Sequence, residues 1–337
     1  MLAPMITPPT TVQQDAAGSP LAAELLRHSV LLVTGKGGVG KSTVAVSMAR
    51  LAAQRGQRVL LVELESVSRV APLFGLPRVG PEPIEVDRRL WVACLDSMDS
   101  LRFFFTQQLK VAALVNLALR NRAVEGFFKA VPAVKPMLFL YHLWRIEQDQ
   151  GRFGDGRYDL IICDLPTSGF TVGMYAIPDT LAHVFRVGSM ATYAVGMREM
   201  LSQPGRAGLV LVTLPEEMPV TETLELRADL LRRHGVETAA IIVNGVYPHI
   251  VRPEDVEHLQ TAAQMATGMA QEPVREWLWA ARLLAGRRQR AEGFLTQLRT
   301  AMAGRVVELP FLFRRDLPLD AVDLLAHRFG ARSEGAA

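Results

Sequence analysis

The segment Gly35-Lys36-Gly37-Gly38-Val39-Gly40-Lys41-Ser42-Thr43 brings four glycines, two lysines and two hydroxyl groups together in nine residues. Residues 35–42 match the spacing G-x-x-x-x-G-K-[ST], and each residue type suits a polyphosphate ligand. Glycines let successive backbone N–H groups turn toward phosphate oxygens, and the N-terminus of a following helix adds partial positive charge. Lys41 is placed to reach the β- and γ-phosphates, and the Ser42 hydroxyl to ligate Mg²⁺. The chain has five lysines, Lys36, Lys41, Lys110, Lys129 and Lys135, against a total of 37 basic residues, so it is strongly biased to Arg. Two lysines inside one Gly-rich loop are informative against that bias. A phosphate cradle takes a compact ammonium where a guanidinium fork does not fit.

Such a loop works only between a strand and a helix, and the flanking sequence supplies both. Ser29–Thr34 reads as a buried strand and Ser42–Arg55 as a helix. Further apolar runs at Arg58–Glu63, Leu90–Leu95, Asp159–Asp164, Leu209–Thr213, Ala239–Val243 and Arg305–Leu309 bring the strands to at least seven. Unbroken apolar strands separated by helices indicate a doubly wound, mostly parallel α/β sheet covered on both faces. The predicted P-loop domain runs over residues 26–330. Residues 1–25, rich in Pro, Thr and Ala near the start, read as a disordered lead-in, and 331–337 as a disordered tail. Residues 97–150 break the alternation with an apolar, all-helical insertion that includes Phe103–Phe105, the run Val111–Leu119 and Met137–Tyr141. These helices either pack on the domain or a partner subunit, or offer a hydrophobic surface to a protein client.

Composition narrows the rest. A net charge of +3 gives no reason to expect nucleic acid. The longest apolar run is too short for a bilayer, and the N-terminus lacks the basic and apolar regions of a secretory signal. A cytoplasmic protein that is not integral to a membrane is expected. Two distant cysteines, Cys94 and Cys163, suggest neither a zinc site nor a disulfide framework.

The second lysine of the loop gives Lys36-Gly-Gly-Val-Gly-Lys-Ser42, the deviant Walker A form. On it the chain resembles the arsenite-pump ATPases and the tail-anchored-protein targeting ATPases, in a class that includes the positioning ATPases. The resemblance spans roughly residues 29–318. Asp164-Leu-Pro-Thr-Ser-Gly-Phe-Thr171 is similar to the family's switch II at Asp164, Gly169 and Thr171, with Phe170 in place of a polar residue. Glu65 falls where the family's switch I has the Asp that orients the attacking water, and Glu63 at an acidic position of the positioning relatives. Pro215-Glu216 and Glu222-Thr223 match a further pair of family motifs. Val243-Asn244 resembles its adenine-binding Val-Asn, and Leu309-Pro310 the loop that closes over adenine.

The resemblance implies ATP and Mg²⁺ as cofactors, with Ser42 as a metal ligand and Asp164 holding the ion through water. It implies Lys41, Lys36, Glu65 and Asp164 as the catalytic set, and Asn244 and Pro310 around the base. Lys36 would reach the nucleotide of a facing subunit, either a second copy or a paralogue, making the ATPase a dimerising switch. Three readings of its task stand side by side: handling a hydrophobic or membrane-protein client, positioning or regulating a partner protein, or holding nucleotide as a structural subunit with little turnover. The family's arsenite handlers use a cysteine triad, which two cysteines cannot supply.

Overall fold

The computed structural model describes residues 19–64, 67–109, 131, 133–148, 158–267 and 271–331. Among them, eight strands form one sheet: β1 Val30–Gly35, β2 Val59–Glu63, β3 Ile84–Asp87, β4 Leu90–Cys94, β5 Leu160–Asp164, β6 Ala207–Thr213, β7 Thr238–Val246 and β8 Val306–Pro310. Their spatial order is β3-β4-β2-β5-β1-β6-β7-β8, parallel throughout except for β3 against β4. The described helices are α1 Pro20–Leu25, α2 Lys41–Gln54, α3 Ser97–Leu109, α4 Val134–Gln148, α5 Ser168–Val184, α6 Ser189–Ser202, α7 Glu217–His234, α8 Pro253–Met265, α9 Gln271–Met302 and α10 Leu319–Gly330.

Every strand from β1 to β7 except β3 is apolar at nearly every position because both of its faces are covered. In β1, Leu31 and Val33 join one core with α1, α2 and α10, while Val30 and Leu32 join the other with α4, α5, α6, α7 and α9. The expected doubly wound α/β sheet is therefore what forms. β1 lies at its switch point, with β5 on one side and β6 on the other, and ligand crevices open beyond the carboxyl ends of such strands. The helix that starts at that crevice, α2, is locked from behind. Arg50 donates to Asp323 of α10 at 2.5 and 2.9 Å and to Asp87 of β3 at 2.7 Å.

One expectation changes. The lead-in was read through residue 25, but Pro20–Leu25 form a helix. Ser19 Oγ accepts from the Ala22 N–H at 3.3 Å, the Ser19 N–H bonds to the Gly330 carbonyl at 2.7 Å, and Ala22 and Leu25 are fully buried. A capped helix with two apolar anchors outweighs the local Pro and Thr content. Residues 1–18 and 332–337 lie outside the described residues. Of the span 97–150, residues 97–109 and 134–148 are helical; the run Val111–Leu119 lies outside the described residues. α4 is turned inward: Phe139, Leu140, Tyr141 and Leu143 belong to the second core, beside Cys163 and Met174. Tyr141 packs on Phe104, Trp144 and Tyr193 with ring centroids 5.0–6.0 Å apart.

Candidate nucleotide site

The Gly-rich loop leaves β1 and enters α2 under two steric demands. Gly35 has φ +153°, and a Cβ there would overlap the Val212 carbonyl oxygen of β6. Gly40, the N-cap of α2, has φ +89°, and a Cβ there would overlap the Asn244 amide nitrogen. Only glycine satisfies both the close approach and the backbone at residue 40. The Asn244 Nδ2 donates to the Val39 carbonyl at 3.0 Å, so the end of β7 is fastened to the loop. That bond also fixes the amide: its nitrogen faces the loop and its oxygen points the other way. One N–H of Asn244 is thus committed to Val39.

Lys41 lies back along the loop, its Nζ donating to the Lys36 carbonyl at 3.1 Å. The Ser42 hydroxyl donates to Asp164 Oδ2 at 2.5 Å. Asp164 ends β5, in register with Val33 of β1 and Glu63 of β2, so the sheet itself delivers the carboxylate to the loop. Thr171 of α5 donates to Thr34 of β1 at 2.8 Å and ties the switch II helix to the same strand. Lys36 Nζ stands 3.1 Å from Glu222 Oε2 of α7, and Ser168 at the start of α5 donates to the other oxygen of Glu222 at 3.1 Å. Lys36 was expected to face a partner subunit; here a carboxylate of its own chain holds it.

Glu63 is fully buried at the end of β2. One of its oxygens accepts from the Arg69 and Val70 N–H groups at 2.8 and 3.1 Å, and the other from the Ser68 hydroxyl. Burial raises its pKa above the usual carboxylate value, the Asp164 charge adds to the rise, and the three donors oppose it. This carboxylate closes the loop after β2 and is spent on it. Glu65 lies outside the described residues.

Pro310 ends β8, opposite Val246 of β7, the strand that carries Asn244. Beyond it Phe311 stacks on Tyr247 at 4.7 Å, Phe313 packs edge-on against both, and the Arg287 guanidinium sits over the Tyr247 ring at 5.2 Å. Arg287-Arg288 looks like a solvated pair in the sequence, yet Arg288 also donates to the Tyr247 carbonyl at 3.3 Å. The signal that could have revealed this was the pairing of Tyr247 with the two phenylalanines one strand away. The cysteines are both buried, with Cys94 in the core on one face of the sheet and Cys163 in the core on the other. Their thiols cannot converge on one ligand, and burial pushes the Cys163 thiol up.

A hydroxyl and a carboxylate oxygen at the mouth of a Gly-rich loop form a hard-oxygen donor pair of the kind Mg²⁺ uses when phosphates complete its shell. Among the described residues no three His, Cys, Asp or Glu side chains gather as a metal site. No described helix is long and apolar enough to cross a membrane.

The model of the family described as anion-transporting ATPase matches residues 28–196 and 187–272. ATPase BagA of Mycobacterium tuberculosis H37Rv is 29% identical over 237 residues, 67% of either chain. A protein provisionally named arsenical pump-driving ATPase from Halobacterium salinarum is 27% identical over 65% of this chain and 35% of its own length. One of the same provisional name from Aquifex aeolicus is 21% identical over 68% of this chain and 67% of its own.

Proposed function

Since the chain belongs to the anion-transporting ATPase family, a family of nucleotide-binding ATPases, we propose that it hydrolyses ATP with Mg²⁺ and works as a dimerising switch. The observation that carries the reading is the meeting of Ser42 and Asp164 at 2.5 Å, where the first turn of α2 meets the end of β5. Ser42 and Asp164 would hold Mg²⁺ there, and the ion would supply positive charge to the transferring phosphoryl group. The protein's own groups do the rest. Gly35 through Thr43 hold the phosphates with backbone N–H groups and the start of α2, and Lys41 exchanges the Lys36 carbonyl for a phosphate oxygen. Asn244 offers its outward amide oxygen to an amino group on the base, with Pro310 beside it. Glu63 is committed to Ser68, Arg69 and Val70, which leaves Glu65 as the acidic residue of that loop to orient water. Lys36 acts across the interface with a second copy or a paralogous subunit.

The handling of a hydrophobic client gains no support from α4, whose apolar side chains fill the core. The switch acting on a partner protein is the better reading of the described residues. Phosphate release by the purified chain, with Mg²⁺ and then with excess chelator, tests the activity. Light scattering with a non-hydrolysable ATP analogue tests the dimer. ATP bound but never cleaved would make the chain a nucleotide-holding subunit instead, and absence of binding would remove the reading altogether.

A further inference from the structure

Lys36 is held by an arrangement that reaches into three elements. Its ammonium meets Glu222 of α7, and the second oxygen of Glu222 takes the hydroxyl proton of Ser168. Ser168 begins α5, four residues after Asp164, which in turn receives the Ser42 hydroxyl. A continuous path therefore runs from the cation end of the P-loop through the switch II segment to Lys36. We infer that Glu222 is a positioning residue: it keeps Lys36 turned toward its own chain until the segment bearing Asp164 and Ser168 shifts on triphosphate binding, which frees Lys36 for the facing subunit. The inference rests on the dimerising-switch reading.

The strength of the pair suits that task. Both side chains are about a third exposed, so the attraction is screened and shifts an equilibrium only about two- to fivefold. A stronger, fully buried pair would hold Lys36 in every nucleotide state. A wholly exposed one would discriminate between none.

The test uses the full chain with its lysines labelled biosynthetically with ¹³C at Cε. There are five lysines, and the Lys36 resonance is assigned by Lys36→Arg. Glu222→Gln should move that resonance, and Ser168→Ala should move it part of the way. In the native chain a non-hydrolysable ATP analogue with Mg²⁺ should move it toward the Glu222→Gln position, while ADP should not. By light scattering, Glu222→Gln should tighten self-association in ADP about two- to fivefold, and its melting temperature should match that of the native chain. A Lys36 resonance indifferent to Glu222→Gln, or displaced equally by ADP, overturns the latch whether or not the chain dimerises. A native chain that stays monomeric with the analogue while its Lys36 resonance responds as described retains the latch and removes the dimer.

Discussion

Gly40→Ala isolates what the loop demands of its last glycine. At φ +89° an L-residue costs roughly 1–2 kcal/mol. The new Cβ would lie well inside contact distance of Asn244 Nδ2, so that side chain must swing away and lose its bond to Val39, a further cost of about 1 kcal/mol. Alanine's smaller freedom in the unfolded chain returns about 0.4–1 kcal/mol. The net loss is about 2 kcal/mol, or a melting temperature lower by roughly 3 °C. Gly37→Ala is the control, because a Cβ there meets nothing within 4 Å and the backbone is not left-handed. Thermal unfolding without nucleotide, followed by circular dichroism, should separate the two variants. Calorimetry should also find ATP binding lost in Gly40→Ala, since Asn244 is displaced with the loop. Equal melting of Gly40→Ala and native protein, or an equal fall in Gly37→Ala, would refute the steric argument.

Asn244 turns its amide oxygen away from the loop, an acceptor that suits adenine's amino group and opposes guanine's carbonyl. ATP should therefore bind at least about tenfold more tightly than GTP in calorimetry with Mg²⁺, and Asn244→Ala should narrow the gap. Lys41→Ala should abolish nucleotide binding, whereas Lys36→Ala should keep most of it and lose analogue-dependent dimerisation by light scattering. Burial pushes the His142 imidazole down to about 4, and Phe103 stacks on it at 3.9 Å. The unfolded chain then binds the extra proton first, so stability present above about pH 6.5 should fall steadily toward pH 4; His142→Leu should flatten that slope in denaturant titrations.

The sheet was legible because its central strands are apolar without interruption, which only two covered faces explain. The strand that escaped, β3, reads Ile-Glu-Val-Asp and is largely exposed on the antiparallel edge. Nothing in four mixed residues at a rim distinguishes a strand from a loop. The P-loop was legible because its chemistry is local, fixed by spacing along nine residues. The partner of Lys36 was not, because it is set by tertiary register. Glu222 meets Lys36 from 186 positions away only because α5 and α7 pack on the same face of the sheet. Glu63 resembled a second catalytic acid for the same reason. Its sequence neighbours cannot reveal that the chain turns back at Ser68 to donate three hydrogen bonds to it.

Glu63 and Asp164 sit directly opposite each other at the ends of paired strands, and that placement decides how Glu63 can be told apart from Glu65 of the following loop. A buried carboxylate facing a second one is costly as an anion, and both burial and Asp164 push its pKa up. Ser68 and two backbone N–H groups hold the carboxylate in place, so the group anchors the loop at the expense of some stability. A glutamine has nearly the same shape. Its amide oxygen can accept from Arg69 and Val70 and its nitrogen can meet Ser68, without the burden of charge. Glu63→Gln should therefore melt within about 1 kcal/mol of the native chain, on either side, whereas Glu63→Ala leaves two buried N–H groups unpaired and should cost about 2–4 kcal/mol. Hydrolysis should follow the other residue. Single-turnover cleavage of labelled ATP should survive Glu63→Gln and fall about tenfold or more in Glu65→Gln with ATP binding intact, because water positioning depends on geometry that an amide reproduces poorly. Cleavage lost in Glu63→Gln at undiminished stability would return the catalytic role to the buried carboxylate and make its three hydrogen bonds a means of aiming it.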